Sequence, residues 1–172
     1  MAKEHAETFS VKVAILTASD RSSRGEREDI SGREIAKMVT EAGWEVVSHT
    51  IVADDKKMLK KELIRLSDEL KVNLILTTGG TGLAPRDFTP DATLEVIEKN
   101  VPGLTEAMRQ ESLKKTPHAM LSRAVSGVRG STLIVNLPGS PRAVRECLNV
   151  ILPAIPHAVA LLGGGVSDCA RM

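Results

Sequence analysis

The sequence predicts an α/β fold of three layers, in which helices cover both faces of a mainly parallel sheet. Short apolar runs alternate along the chain with segments whose apolar residues recur at helical spacing. Strands that alternate with helices form right-handed βαβ units and therefore parallel sheets. A chain of 172 residues with 42% hydrophobic residues is large enough for one core. Ligands of such sheets bind beyond the carboxyl ends of the strands, where we expect the functional residues.

The first half of the chain contains three predicted strands and two predicted helices. The strands lie at residues 11–17, 44–52 and 72–78, where apolar and β-branched residues are frequent. The first helix, at residues 30–42, is followed by Gly43, which is expected to form a left-handed C-terminal cap. The second helix has one apolar stripe, which consists of Leu59, Leu63, Leu66 and Leu70.

The second half contains helix starts and one predicted hairpin. Thr89 is expected to be the N-cap of a helix, and a further helix follows Pro102, which predicts a pair of helices. Residues 124–128 and 131–135 are expected to form two strands about a turn at Arg129 and Gly130. Ser140 is expected to cap a last helical segment, which prolines then divide, namely Pro153 and Pro156.

The chain is expected to form one domain over residues 11–172, after a flexible, polar segment at residues 1–10. We find no segment that approaches the roughly 20 apolar residues needed to cross a bilayer, so neither export nor membrane insertion is expected. Cys147 and Cys169 stand alone, without a CxxC pair, so neither a zinc site nor a disulfide framework is indicated. A reducing, cytoplasmic location fits best.

The charge and aromatic content disfavour a nucleic-acid partner. The chain has 23 basic and 22 acidic residues, a net charge of +1, and aromatic residues make up 2% of it. A balanced charge provides no general attraction for a polyanion, and few aromatic side chains are present on which bases could stack. Any anion site must therefore be local.

The most specific local signal is a glycine-rich run directly after the third strand. It consists of Gly79, Gly80, Thr81 and Gly82. Glycines allow successive backbone N–H groups to converge on an oxyanion, so the run predicts a phosphate-binding loop. It matches neither GxxxxGK[ST] nor the dinucleotide-binding fingerprint. The alternative is a strand-to-loop turn in which glycine serves backbone geometry alone.

Two aspartates are candidate magnesium ligands. Asp87 follows the glycine run together with Arg86, and an acid beside a phosphate site requires a cation between them. Asp54 follows the second strand much as Asp87 follows the third, so both are able to reach the same crevice. An Asp before a helix is usually an N-cap, however, and Asp55 competes with Asp54 for that role.

Weaker candidates for phosphate or substrate contacts lie at the ends of other elements. They supply hydroxyl, carboxylate or guanidinium groups, or a free helix N-terminus, and each alone is equally typical of a solvated loop. These candidates are Asp20, Arg21, Ser122, Arg123, Gly139 and Ser140.

Taken in order, these motifs resemble the MoaB/MogA family of molybdenum cofactor biosynthesis proteins. They are SDR at 19–21, TTGGTG at 77–82, PRDFTPDAT at 85–93, Ser122-Arg123 and NLPGSP at 136–141. The resemblance covers roughly residues 11–162 and is closest to MoaB, because the chain is short and its C-terminal part compact.

The resemblance implies an adenylyltransferase that joins AMP from ATP to molybdopterin and releases pyrophosphate. It implies that Asp54 and Asp87 are the required carboxylates and hold Mg²⁺, and that Gly79 to Gly82 bind phosphate or nucleotide. Arg86 or Arg123 would neutralise charge. It further implies a homotrimer or a hexamer, and a handover to the molybdenum-insertion protein of the pathway. The alternative is a non-catalytic protein that binds or assembles molybdopterin, since some MoaB-type members do not catalyse the transfer.

Overall fold

The structure is a computed structural model that describes residues 10–165. Residues 1–9 of the predicted N-terminal segment and residues 166–172 of the predicted domain lie outside the described residues. In chain order the elements are β1 (Lys12–Ala18), α1 (Asp20–Ser23), α2 (Ile30–Glu41), β2 (Glu45–Val52), α3 (Lys56–Ile64), β3 (Leu74–Thr78), α4 (Thr89–Val96), β4 (Lys99–Asn100), α5 (Pro102–Leu113), β5 (Ser126–Arg129), β6 (Thr132–Leu137), α6 (Pro141–Ile151) and α7 (Ile155–Leu162).

The six strands form one sheet in the order β2-β1-β3-β6-β5-β4. The first four of these are parallel to one another. At one edge β5 pairs antiparallel with β6, and β4 pairs antiparallel with β5. The mainly parallel sheet predicted from the alternation of strands and helices is therefore confirmed. The antiparallel edge arises because β5 and β6 form a tight hairpin, which reverses the direction of the chain.

Alternate side chains of the strands supply two separate cores, one on each face of the sheet. Val13 and Ile15 of β1 belong to the core covered by α2, α5, α6 and α7. Ala14 and Leu16 belong to the core covered by α3 and α4. Successive side chains of a strand point to opposite faces, so strands buried on both faces are apolar throughout. This arrangement confirms the three predicted layers.

Two helix ends test the sequence-based expectations. Gly43 has a φ of +82°, as expected for a left-handed residue after α2. The stripe of the second predicted helix is right for its first three leucines, which are fully buried, but wrong for Leu70, which is 41% exposed. A π-helical turn at Arg65–Glu69 follows α3, and the N–H of Leu70 donates to the Arg65 carbonyl at 3.0 Å. The wider turn rotates Leu70 away from the buried face.

The segment around α4 differs from the predicted pair of helices. Phe88, rather than Thr89, occupies the N-cap position, and Thr89 is the first residue of α4. The short strand β4 lies between α4 and α5 and pairs with β5. A two-residue edge strand has no periodicity that sequence analysis can detect.

The predicted hairpin forms, but its turn lies one residue later than expected. Arg129 pairs with Thr132, so the two turn residues are Gly130 and Ser131. Gly130 has a φ of +56°. A two-residue hairpin turn commonly places a glycine with positive φ at its first central position, which fixes this register.

The final helical segment corrects the expectation that no segment approaches the length needed to cross a bilayer. Pro141–Leu162 is a helical stretch of 22 residues with a hydropathy of 1.3, long and apolar enough by length and composition alone to cross a membrane. Val144, Leu148 and Ile151 are nevertheless buried against the sheet. One face of the stretch therefore packs on the sheet, and a 3₁₀ turn at Leu152–Ala154 interrupts it, as its prolines predict.

Candidate active site at the carboxyl ends of the central strands

The order of the strands places a crevice between β1 and β3. The chain leaves β1 for β2 on one side and later returns to β3 on the other side of β1. The loops after β1 and β3 therefore diverge, and ligands of open α/β sheets bind at such a point. A polar pocket of about 170 Å³ lies here, bordered by Ser19, Ser22, Thr78, Gly79 and Gly139.

Asp20 and Asp54 tie the ends of β1 and β2 together by reciprocal hydrogen bonds. The N–H of Asp20 donates to Asp54 Oδ2 at 2.9 Å, and the N–H of Asp54 donates to Asp20 Oδ1 at 3.0 Å. Each carboxylate therefore satisfies the backbone of the other residue. This contact brings two sequence candidates together, although Asp20 begins a one-turn helix, α1, where sequence analysis found only a loop. Ser19 caps that turn by accepting from the Ser22 N–H.

Asp55, not Asp54, caps the following helix. Asp55 Oδ1 accepts a hydrogen bond from the N–H of Met58 at 2.8 Å. Asp54 is thus released from the capping role that its position suggested. Within the described part of the chain, Asp54 Oδ1 accepts no hydrogen bond, whereas Oδ2 accepts from the Asp20 N–H. The free oxygen is available to a ligand.

The electrostatics around Asp54 favour a bound cation. Burial raises the pKa of the Asp54 carboxyl, and the negative charges of Asp20 and Asp87 raise it further. The hydrogen bond from the Asp20 N–H and the charge of Arg86 offset part of this rise. The Arg86 guanidinium makes two hydrogen bonds to Asp20, at 2.7 and 2.9 Å. This pairing lowers the pKa of the Asp20 carboxyl. Arg86 is 60% exposed in its side chain, so it is accessible to a ligand.

The glycine run passes directly over these carboxylates. Gly79 and Gly80 have φ values of +88° and +65°, and a Cβ on Gly79 would collide with the Ala18 carbonyl oxygen. A Cβ on Gly80 would lie 3.4 Å from Asp54 Oδ1. Backbone geometry therefore requires glycine at both positions, as the alternative interpretation of the run predicted. Thr81 of this run is buried.

Asp87 contacts the same loop next to Gly82. Its Oδ2 accepts from the N–H of Ala84 at 3.0 Å and would lie 2.9 Å from a Cβ on Gly82. No three His, Cys, Asp or Glu side chains among residues 10–165 are arranged as metal ligands. Mg²⁺ commonly uses one or two carboxylates and completes its shell with phosphate oxygens and water. Asp54 and Asp87 supply carboxylate oxygens of the kind that this mode of binding uses.

Arg123 holds the glycine loop in place. Its Nε donates to the Gly82 carbonyl at 2.8 Å, its guanidinium also donates to the Asp87 carbonyl, and it pairs with Asp91 at 3.1 Å. The neighbouring Ser122 Oγ accepts from the Ala124 N–H at 3.3 Å. These contacts make Arg123 a support of the loop and leave Arg86 as the more accessible guanidinium for phosphate.

The remaining candidates lie around the crevice with less defined roles. The carbonyl of Gly139 accepts from Ser31 Oγ at 2.7 Å, and a Cβ on Gly139 would lie 3.5 Å from Gly79 Cα. Ser140 caps α6 by accepting from the Ala143 N–H at 3.2 Å. Arg21 is exposed within α1. The structure therefore places these candidates near the end of the sheet where the sequence predicted a site, with contacts that the sequence did not predict.

Two features of the site were missed by sequence analysis. One is Thr89, whose buried hydroxyl lies next to Gly80. The other is an apolar cavity of about 310 Å³ that begins at Thr81 and Gly82 and extends between α5 and α6, past Arg109 and Cys147. Its walls come from distant parts of the chain, so no local motif identifies them. The sequence pattern around Thr89 did not distinguish this residue from an ordinary helix cap.

Comparison with known proteins places the chain among molybdenum cofactor proteins. Residues 14–157 match the family described as "Probable molybdopterin binding domain". The chain is 45% identical over 157 residues to the molybdopterin adenylyltransferase of Helicobacter pylori J99, covering 90% of this chain and 89% of the relative. It is 36% identical over 170 residues to the molybdopterin adenylyltransferase of Escherichia coli K12, covering 90% and 87%.

Solved structures agree with these sequence relatives. The crystal structure of the molybdopterin biosynthesis enzyme MoaB from Thermus thermophilus is 51% identical, with a TM-score of 0.85, and the match covers 90% of this chain and 97% of that one. The Mog protein of Mycobacterium ulcerans is 38% identical with a TM-score of 0.84, covering 91% and 99%.

Proposed function

The chain belongs to the family of probable molybdopterin-binding domains, and from this membership we propose that it adenylylates molybdopterin, with Mg²⁺-bound ATP as the co-substrate and pyrophosphate as the second product. The names of relatives that are 36% to 45% identical over most of the chain support the adenylyl transfer. The site itself supports the use of a metal-bound nucleotide. The observation that carries this proposal is that the carboxylates of Asp54 and Asp87 both approach the glycine loop, Asp54 at Gly80 and Asp87 at Gly82, and that the charge of Asp87 acts on Asp54.

In this reaction a terminal phosphate oxygen of molybdopterin forms a bond to the α-phosphorus of ATP. The bond from that phosphorus to the oxygen bridging to the β-phosphate breaks, and pyrophosphate leaves with the bonding electron pair. Alignment and charge neutralisation are sufficient for such a transfer, so no covalent enzyme intermediate is required. When bound, Mg²⁺ neutralises negative charge on the transferred group.

Different residues of the chain would bind the cation, bind phosphate and support the glycine loop. Asp54 and Asp87 would hold the cation, and the backbone N–H groups of Gly79 to Gly82 would donate to phosphate oxygens. Arg86 would exchange its contact with Asp20 for one with phosphate, because a guanidinium binds either oxyanion in the same bidentate way. Arg123 keeps the loop in shape through the Gly82 and Asp87 carbonyls.

The apolar cavity provides room for a ring system next to the phosphate loop. It shares Thr81, Gly82 and Ser122 with the site residues, and Arg109 and Lys115 also line it. Ligand pockets typically combine apolar walls with a few polar groups that orient the ligand. We therefore propose that the pterin of molybdopterin occupies this cavity, with its phosphate directed toward the glycine loop.

We also propose that the protein assembles as a homotrimer or a hexamer, as its resemblance to the family implies. Three apolar side chains at or beside the cavity are exposed: Leu121, which lines it, is 52% exposed, and Leu83 and Met120, which follow lining residues in the chain, are 65% and 67% exposed. Clusters of exposed apolar residues commonly mark contact surfaces. Transfer of the product to a molybdenum-insertion protein is proposed on the same resemblance.

The role of Asp87 is tested by comparing chemistry with binding in Asp87→Asn. The substitution removes one charge but keeps an oxygen that accepts the Ala84 N–H, so the loop is expected to stay folded. We expect transfer of labelled AMP to molybdopterin to slow by about 100-fold or more, because a metal ligand acts mainly on developing charge. Binding of molybdopterin, measured by calorimetry, should change little. Equal rates in both proteins would contradict this role for Asp87.

A further inference from the structure

The hydroxyl of Thr89 is a buried polar group without a partner. Thr89 is 1% exposed, and its Oγ1 makes no hydrogen bond to any residue that the structure describes. Its backbone is satisfied, since its N–H donates to the Gly80 carbonyl at 3.1 Å. Buried hydroxyls almost always have a partner, because burial removes the hydrogen bonds that water provides. The missing partner therefore points to something that binds beside Thr89.

The position of Thr89 in its helix explains why the usual internal partner is absent. A helical threonine often donates to the carbonyl four residues earlier. One turn later, Thr93 does this: its Oγ1 donates to the Thr89 carbonyl at 2.8 Å and accepts from Asn136 Nδ2 at 2.9 Å. Thr89 is the first residue of α4, so the residue four positions earlier lies in the loop and is not part of the helix.

The free hydroxyl of Thr89 and the free oxygen of Asp54 both lie close to Gly80. Thr89 Oγ1 lies 2.6 Å, and Asp54 Oδ1 lies 3.4 Å, from the position that a Cβ on Gly80 would occupy. A hydroxyl both donates and accepts hydrogen bonds, and a carboxylate oxygen accepts them or binds a cation, so a hydrated cation beside Asp54 would satisfy both groups. Glycine at position 80 keeps this point clear of a side chain.

We propose that Thr89 is a positioning residue for the divalent cation, and that its hydroxyl accepts a hydrogen bond from a water molecule of the hydrated cation held by Asp54. This inference rests on the proposed function, which supplies the cation with the nucleotide. Mg²⁺ retains several of its waters in proteins, so an uncharged oxygen beside a carboxylate is able to contact the ion through one of them. Thr89 thereby orients the metal–nucleotide complex without altering the charge of the site.

The experiment compares Thr89→Val and Thr89→Ser by calorimetric titration with α,β-methylene-ATP, which lacks the bond broken in the reaction. Each titration is done with Mg²⁺ and again with EDTA. We expect Thr89→Val to weaken binding about tenfold in Mg²⁺ and by less than about twofold in EDTA, and Thr89→Ser to restore most of the affinity in Mg²⁺. The melting temperature of metal-free Thr89→Val should equal or exceed that of the native protein, since valine removes an unpaired buried hydroxyl.

Thr93→Val is the matched control on the same helix. Its hydroxyl has two partners, so we expect a lower melting temperature and an unchanged ratio of affinities with and without Mg²⁺. The Thr89 and Thr93 variants should thus show opposite patterns of stability and binding. A purely structural role for Thr89 would make its pattern the same as that of Thr93.

Several results would overturn the inference. Equal weakening by Thr89→Val in Mg²⁺ and EDTA would mean that the hydroxyl contacts phosphate directly. A lower melting temperature of metal-free Thr89→Val would mean that the hydroxyl already has a structural partner in solution. Unchanged affinity of Thr89→Val, in a native protein that transfers AMP, would remove this inference and leave the proposed function intact. A native protein that binds no Mg²⁺–nucleotide would remove both.

Discussion

Two neighbouring aspartates after β2 perform different tasks, although local sequence does not distinguish them. Asp55 caps α3 through the N–H of Met58, whereas Asp54 turns toward the crevice and exchanges hydrogen bonds with Asp20. The difference arises from tertiary structure, because the carboxyl end of β1 supplies the partner that fixes Asp54. The fold alone therefore determines which of the two aspartates caps a helix and which one turns toward the crevice.

Because Asp54 and Asp55 have different surroundings, we expect their substitutions to change the free energy of unfolding in opposite directions. The effect at Asp54 should also depend on pH. Burial raises the pKa of Asp54 above the ordinary value of about 3.9. The unfolded chain therefore loses this proton at lower pH than the folded protein, and ionised Asp54 opposes folding. The cost is absent below the unfolded pKa and complete above the folded one. Asp54→Asn should therefore raise the free energy of unfolding relative to the native protein, and by more at pH 7 than at pH 4.

Urea unfolding at both pH values measures the effect of Asp54→Asn. The control is Asp55→Ala, which removes the α3 cap and should lower the free energy of unfolding by about 1 kcal/mol. The contrary result is a native protein that is more stable than Asp54→Asn by the same margin at pH 7 and at pH 4. It would show that the surroundings of Asp54 do not disfavour its ionised carboxylate.

At the scale of elements, the glycine loop depends on both backbone conformation and close packing. Gly79 and Gly43 have nearly the same φ, +88° and +82°. A Cβ on Gly43 would meet nothing within 4 Å, whereas a Cβ on Gly79 would strike the Ala18 backbone. Comparison of the two positions therefore separates the cost of the left-handed conformation from the cost of the contact between the loop and β1.

We expect Gly43→Ala to lower the free energy of unfolding by about 1 kcal/mol, the usual cost of a left-handed alanine. Gly79→Ala should lower it by about 3 kcal/mol, at the upper end of single substitutions, because the backbone of β1 must also move. Chemical denaturation of both variants measures the difference. Similar losses at the two positions would mean that the loop is free to shift away from β1.

The elements that sequence analysis predicted well are those with long periodic patterns. The strand at 72–78 and the helix at 30–42 are found as β3 and α2 within two residues of the expected bounds. The one-turn helix α1, the edge strand β4 and the π-helical turn at Arg65–Glu69 were missed. Each is too short for a periodic signal, and each depends on a partner elsewhere in the chain or on local hydrogen bonds.

For the molecule as a whole, the topology explains why distant motifs form one site. The run at 77–82, the segment at 85–93 and the aspartates after β1 and β2 all lie at the carboxyl ends of adjacent parallel strands. Sequence analysis predicted this end of the sheet from the alternation of elements. It did not predict the apolar cavity, because its walls come from α5 and α6 and the loops around them.

One comparison tests our proposal that the Asp54 carboxylate and the glycine loop form an adenylyl-transfer site. Transfer of labelled AMP from Mg²⁺–ATP to freshly prepared molybdopterin is measured for the native protein, Asp54→Asn and Asp55→Asn. We expect robust transfer by the native protein and by Asp55→Asn, which keeps a capping side chain, and a loss of about 100-fold or more in Asp54→Asn. A folded native protein that binds molybdopterin but transfers no AMP would contradict the claim and identify a binding or assembly protein of the same pathway.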